Sequence, residues 1–179
     1  TYVGAHGVAN HLIQLIDAAE QLKETNVIFQ FIGAGMKKQE LQQEVIKRKL
    51  NNIIFREPVS KKDVFKYILA SDVGASVLKK VDTFKTIYSN KTFDYMSCKK
   101  PILLAIDGVS RELIEKSGSG VYVEPENIKS IIEGVKFLKN MSINELHEIG
   151  NAGFKYSKKH FDRENLAKKY IKELKKNYE

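Results

Sequence analysis

Thr86-Ile87-Tyr88-Ser89-Asn90-Lys91-Thr92-Phe93-Asp94-Tyr95-Met96-Ser97-Cys98 leads directly into Lys99-Lys100-Pro101-Ile102-Leu103-Leu104-Ala105. A polar loop empties into a short amphipathic segment with Asn90 and Lys91 in its first turn and Asp94 one turn on. An apolar, strand-like run, Pro101 to Ala105, follows at once. The start of a helix offers unpaired backbone N–H groups at the positive end of the helix dipole. A lysine and a carboxylate one turn apart on that helix suit a phosphate and the hydroxyls of an attached ribose.

Outward from this stretch, the chain alternates short apolar runs with longer amphipathic ones. Strands are predicted at Tyr2–Gly4, Val27–Ile32, Ile53–Phe55, Val73–Val77, Ile102–Ala105 and Val121–Val123. Helices are predicted from about Val8 to Lys23, Lys37 to Lys49, Lys61 to Ala70, Lys91 to Cys98, Arg111 to Lys116, Ile128 to Lys139, Ile143 to Lys159 and Arg163 to Lys176. Leu12, Leu15, Ile16, Ala19 and Leu22 fall on one face of the first helix, and Ser60 and Ser110 stand where N-caps belong. Regular strand–helix alternation with near-continuous apolar strands means a parallel sheet covered on both faces. The predicted fold is therefore α/β: a doubly wound, Rossmann-like parallel sheet. Residues 1–160 form the sheet domain, and 161–179 carry a C-terminal helix that packs outside it or reaches toward another domain.

In such a sheet, ligands bind where the strand-to-helix loops converge at the carboxyl ends of the strands. Those loops are Gly4-Ala5-His6-Gly7, Gly33-Ala34-Gly35, Arg56-Glu57-Pro58-Val59 and the long stretch from Leu78 to Ser89. A connection of that last length in a compact domain is commonly functional. Gly33-x-Gly35 begins a dinucleotide fingerprint, but Lys38 stands in the place of its third glycine, so a tight turn explains the pair as well as a ligand does. His6 reads as the polar tip of the first loop. Lys79, Lys80 and Lys85 line the long loop and, with Lys91, suit an anion near a helix start.

The chain has 179 residues and a formal charge of +8, with lysine spread over almost every helix face, as on an ordinary solvated surface. Basic and aromatic residues do not interleave as they do in base-stacking proteins, so nucleic acid is not an expected partner. The four histidines lack metal-ligand spacing, no Asp-x-Asp pair offers a clamp for a divalent ion, and neither a metal nor another cofactor is expected. Cys98 is the only cysteine, which fits a reducing cytoplasm. The opening residues read as a strand already in progress, as in a piece of a longer protein.

These blocks resemble a known family. Val3-Gly4, Phe31-Ile32-Gly33-Ala34-Gly35, Asn52-Ile53-Ile54-Phe55 with Pro58-Val59 and Ser71-Asp72-Val73, and Asp107-Gly108 through Gly118-x-Gly120 to Pro125 match loosely. Asn90-Lys91-x-Phe93-Asp94-Tyr95-Met96-Ser97-Cys98-Lys99-Lys100-Pro101-Ile102 matches specifically. Together they resemble the C-terminal, donor-binding domain of GT-B fold, family 4 retaining glycosyltransferases, in a variant similar to bacterial enzymes of surface polysaccharides such as lipopolysaccharide and capsule, aminodeoxyhexose transferases among them.

The resemblance implies a nucleotide-sugar site made of Gly4, His6, Gly7, Gly33, Gly35, Pro58, Val59, Thr86, Ser89, Asn90, Lys91 and Asp94. In that family a Glu-x7-Glu element closes over the nucleotide sugar. Its second acid falls on Asp94, implying ribose contact, and its first falls on Thr86, a departure. The basic pair of the first loop falls on Ala5 and Asn10, so His6 and Lys91 would share its duty, and the base would rest near Pro58 and Val59. The implied partners are a nucleoside diphosphate sugar, most simply UDP-linked, and an N-terminal acceptor domain. Peripheral contact with the inner face of a membrane is a further expectation. A GT-B-fold sugar-nucleotide epimerase, a dinucleotide-dependent oxidoreductase and a non-catalytic nucleotide-binding module are the alternative readings.

Overall fold

Ile102-Leu103-Leu104-Ala105 is buried along its whole length, and the alternation of its side chains organises the molecule. Leu103 and Ala105 point into one apolar cluster; Ile102 and Leu104 point into another on the opposite face. A strand apolar on both faces needs helices on both faces, which is the sequence signature of a parallel sheet. The computed structural model describes residues 1–176 and has this form.

Six strands, β1 (Tyr2–Val3), β2 (Phe29–Ile32), β3 (Ile53–Arg56), β4 (Gly74–Val77), β5 (Ile102–Ala105) and β6 (Gly120–Tyr122), all pair in parallel in the order β3-β2-β1-β4-β5-β6. The order reverses between β1 and β4, which makes the crevice at their carboxyl ends the switch point of a doubly wound sheet. One face is covered by α1 (Ile13–Gln21), α2 (Lys38–Lys47) and α6 (Ile128–Lys139), the other by α3 (Lys61–Leu69), α4 (Asn90–Ser97), α5 (Val109–Ser117) and α7 (Ile143–His160). A last helix, α8, spans Arg163–Lys176. Among the described residues, no helix is long and apolar enough to cross a membrane.

The strands and helices stand where the sequence predicts them, with informative shifts at their ends. The first helix starts at Ile13 rather than Val8, because His11 takes a left-handed backbone (φ 44°) that no continuous helix allows. Ser60 caps α3 by accepting from the Asp63 N–H. Ser110 does not cap α5: Gly108 occupies the N-cap position, with no side-chain cap, and the buried Ser110 hydroxyl instead donates to the Ile87 carbonyl at 2.8 Å. The reason is a close approach: a Cβ on Gly108 would lie 2.1 Å from the Lys85 carbonyl oxygen. Every residue of α8 is exposed, including Leu166, Tyr170, Ile171 and Leu174 of its apolar face. None of its side chains is buried, and the part of the predicted 161–179 segment beyond residue 176 lies outside the described residues.

Candidate functional site

The switch point is built from backbone packed on backbone. Gly4 N–H donates to the Ile32 carbonyl at 3.0 Å, and His6 N–H to the Ala34 carbonyl at 2.8 Å. Gly33 (φ 146°) lies so close to the first loop that a Cβ there would stand 2.0 Å from the Gly4 carbonyl oxygen. A Cβ on Gly35 would meet the His6 carbonyl at 2.5 Å. The two glycines of the partial fingerprint are thus explained by loop-on-loop packing. Lys38, in the place of the third, ties the next loop in, donating to the Arg56 carbonyl at 3.2 Å and to Glu57 at 2.8 Å.

Against this platform stands the start of α4. Tyr95 anchors the helix: its buried hydroxyl accepts from Val3 N–H at 3.1 Å and donates to the Ala75 carbonyl at 3.0 Å, bridging β1 and β4. Thr92 adds a buried hydroxyl contact to Ser76 at 3.2 Å. Ser89 occupies the N-cap position without capping; its Oγ accepts from Lys91 Nζ at 3.3 Å instead. The first backbone N–H groups of α4 are therefore left without a side-chain cap.

Lys91 reaches back across the switch point. Its Nζ lies 5.1 Å from the centre of the Tyr2 ring and 3.5 Å from Asn10 Oδ1, and its Cε fills the space that a side chain on Gly4 would take (3.3 Å). Burial lowers its pKa to about 8, and the charge of Asp94 works in the opposite sense. A desolvated ammonium ringed by neutral oxygens gains most from an incoming anion. One turn on, Asp94 accepts from Lys61 Nζ at 2.6 Å, at the start of α3 and just past Pro58 and Val59.

The structure thus brings Gly4, Gly33, Ser89, Asn90 and Lys91 together, with Gly35 behind the first loop, Gly7 beside Asn10, and Asp94 on the next turn. Thr86 is exposed in a 3-10 turn (Asp82–Thr86), its hydroxyl donating to Thr83. His6 is not a polar tip. It is fully buried among Tyr2, Phe31 and Phe55, and neither ring nitrogen has a hydrogen-bond partner among the described residues. Burial, helped by the charge of Lys38, holds its pKa down to about 4, so the ring is neutral. It is an aromatic filler under Gly33 and offers no charge to a phosphate.

The lysines of the long loop do not gather round α4. Lys80 pairs with Glu124 at 2.7 Å, Lys85 pairs with Asp82 at 2.8 Å, and Lys79 lines a separate groove. Three further residues matter. Asn10 and Tyr2 frame the Lys91 ammonium, and Gln14, buried in α1, joins three loops by donating to the His11 and Leu78 carbonyls and accepting from Glu126 N–H. A glutamine off the apolar stripe of α1 carries no sequence signal, whereas Asn10 was legible as a position beside the first loop. Among the described residues no group of three or more His, Cys, Asp or Glu side chains is arranged to hold a metal.

Comparison with known proteins gives a family and a fold. The family described as "Glycosyl transferases group 1" matches residues 1–140. WcaI of Escherichia coli strain K12, assigned by its name to colanic acid biosynthesis as a glycosyl transferase, is 22% identical over 176 residues, covering 97% of this chain and 42% of WcaI. The chain therefore spans about two fifths of that relative's length. Among solved structures, Anabaena HepE in complex with UDP superimposes with a TM-score of 0.82 at 18% identity, over 98% of this chain and 48% of HepE. The C-terminal domain of the group 1 glycosyl transferase LpcC of Francisella tularensis gives 0.72 at 20%, over 90% of this chain and 86% of that domain. At these identities the structural likeness establishes the shared fold.

Proposed function

The chain belongs to the group 1 glycosyl transferases, and from that premise we propose that it is the nucleotide-sugar-binding half of a two-domain, retaining transferase. The whole enzyme would move a sugar from a nucleoside diphosphate to a cell-surface polysaccharide or lipid-linked glycan. The observation that carries this reading is the Lys91 ammonium, held at the switch point between the Tyr2 ring and the neutral oxygens of Asn10 and Ser89, with its pKa lowered by burial against the opposing charge of Asp94. UDP as the nucleotide is supported by the UDP held in HepE, and a surface polysaccharide by the name of WcaI.

In this reading Lys91 and the uncapped N–H groups of Asn90 and its neighbours meet the diphosphate. Asp94 accepts from the ribose hydroxyls, Gly4 and Gly33 let the backbone approach closely, and Pro58 and Val59 flank the base. Thr86 and Ser89 line the approach. Negative charge growing on the departing diphosphate is met by fixed N–H dipoles and one ammonium, which act without reorganising. With no Asp-x-Asp pair to hold a divalent ion, these groups carry the charge themselves.

An acceptor must be oriented by a second domain, so this chain alone should transfer very little sugar. Residues 1–160 are the donor domain, and the exposed apolar face of α8 is what reaches toward the partner half. The whole enzyme would work in the cytoplasm against the inner face of the membrane; flotation with anionic vesicles at low salt tests that contact. Calorimetry with UDP and GDP, with and without EDTA, tests the central reading. Binding of UDP that survives the chelator is expected. Preference for NADH over UDP would instead favour an oxidoreductase.

A further inference from the structure

Ser89 stands at the N-cap position of α4 but turns its hydroxyl to Lys91, so the chain enters this helix without a side-chain cap. A pair of rings fixes the entry instead. Tyr88, the residue before the N-cap, meets Phe93 of the first turns with ring centres 5.9 Å apart and planes at 70°. A bulky residue just outside a helix, packed on the fourth residue inside it, is a hydrophobic staple and sets the angle at which the chain enters.

The staple has a third ring, and it comes from the other end of the chain. Phe161 closes α7 and is separated from the start of α8 by Asp162 alone. Its ring centre lies 5.0 Å from that of Phe93 and 5.6 Å from that of Tyr88, in the tilted and edge-on arrangements that aromatic pairs favour. Phe93 and Phe161 pack against the apolar cluster on this face of the sheet. Tyr88 is 46% exposed and stands outside both apolar clusters, so its hold on the protein is its contact with these two rings. Every residue of α8 is exposed, and Asp162, next to Phe161, starts that helix by accepting from the Asn165 N–H at 2.9 Å.

We propose that Phe161 is a positioning residue for the nucleotide site: by closing the staple it sets the Tyr88–Ser89 entry, and with it Asn90 and Lys91, so that the start of α4 and the root of α8 are fixed together. The inference rests on the reading of this helix start as the diphosphate site and adds a residue that acts on it through Tyr88 and Phe93. Where two sites share one joint, order gained at either is felt at the other, and the coupling is reciprocal.

The test compares the 179-residue chain with Tyr88→Ala, Phe161→Ala, Phe161→Tyr and, as a destabilised control on the opposite face of the sheet, Leu138→Ala in α6. Amide exchange without nucleotide reads the staple by itself. Thr92, whose N–H donates to the Ser89 carbonyl at 3.0 Å, should exchange faster in Tyr88→Ala and Phe161→Ala than in the parent, and at the parent's rate in Phe161→Tyr. UDP affinity should fall about fivefold or more in the two ring-removing variants. It should be kept in Phe161→Tyr, and in Leu138→Ala despite a lower melting temperature. Saturating UDP should slow exchange at Asn165 in the parent and not in Phe161→Ala. A parent that binds no UDP would overturn the diphosphate reading and this role with it. UDP bound by the parent and equally well by Phe161→Ala, an equal loss of affinity in Phe161→Tyr or Leu138→Ala, or Thr92 exchange unmoved by either ring-removing variant would overturn the role alone.

Discussion

Asp94 accepts a hydrogen bond from Lys61 at 2.6 Å, so the carboxylate nearest the start of α4 is already engaged by the first residue of α3. Lys61 is largely exposed, and a pair open to water on one side contributes little to stability. The pair instead aims the carboxylate. If Asp94 serves ribose hydroxyls, Asp94→Asn keeps the shape and removes the charge that strengthens those bonds. UDP affinity should fall about tenfold or more, since a hydrogen bond to a charged group contributes roughly 1.5–3 kcal/mol. Melting temperature should hardly move. Lys61→Ala should change UDP affinity far less, and calorimetry on the two variants side by side separates aiming from binding.

Lys91 gives the site a pH limit. Burial lowers its pKa to about 8, and an anion beside it must raise that value. Below pH 8 the ammonium is charged in both the free and bound protein, so affinity is flat as long as the diphosphate keeps its own charge. Above pH 8 the free protein must take up a proton to bind, and the dissociation constant should climb by up to about tenfold per pH unit. The measurement is UDP affinity from pH 7 to 9.5. Lys91→Ala should bind weakly and show no such slope, and a parent protein without the slope would remove Lys91 from the diphosphate site.

His6 predicts a pH dependence of stability in the other direction. Its folded pKa, about 4, lies below the ordinary 6.5, so between these values the unfolded chain binds a proton that the folded chain refuses. Stability should therefore fall as the pH drops through 6.5, by about 2 kcal/mol at pH 5 relative to pH 7.5 from this residue. His6→Phe removes the titrating ring and two buried nitrogens without partners, so urea unfolding should show equal or greater stability at pH 7.5 and a shallower loss at pH 5. UDP affinity should be untouched. A tenfold loss of it would return His6 to the binding surface.

What could be read from the sequence follows physical range. The period of apolar residues in α1 and the unbroken apolar run Ile102–Ala105 report burial directly; the strand stands where predicted, and the helix does so from Ile13 onward. The α4 motif was legible because a helix start, a lysine and a carboxylate lie within five residues of one another. His6 was misread because loop position suggests exposure, while its burial depends on Phe31 and Phe55, distant in sequence. Ser110 was misread as a cap because its real partner, the Ile87 carbonyl, comes from the far side of β5. The lysines of the long loop looked like one anion site because sequence shows their proximity but not their partners Asp82 and Glu124. The errors at His6, Ser110 and Lys80 fell where long-range contacts override local chemistry, whereas the partner of Lys85 lies only three residues away.

The seam between β1 and β4 supplies the last prediction. These strands pair at a single register position, Tyr2 with Ala75, and the Tyr95 hydroxyl supplies what the short ladder lacks. It accepts from Val3 N–H at 3.1 Å and donates to Ala75 at 3.0 Å, while its ring fills the place that a Cβ on Gly74 would enter at 2.3 Å. Tyr95→Phe preserves the ring and so opens no cavity, but leaves Val3 N–H without that acceptor. An unpaired buried donor costs about 1–3 kcal/mol, and urea unfolding should lose that much with an unchanged denaturant slope. Because Val3 leads directly into Gly4, the same change should speed amide exchange at Gly4 and His6 more than in α6. Uniform exchange across both regions would mean that Tyr95 stabilises the domain as a whole without holding the switch point in place.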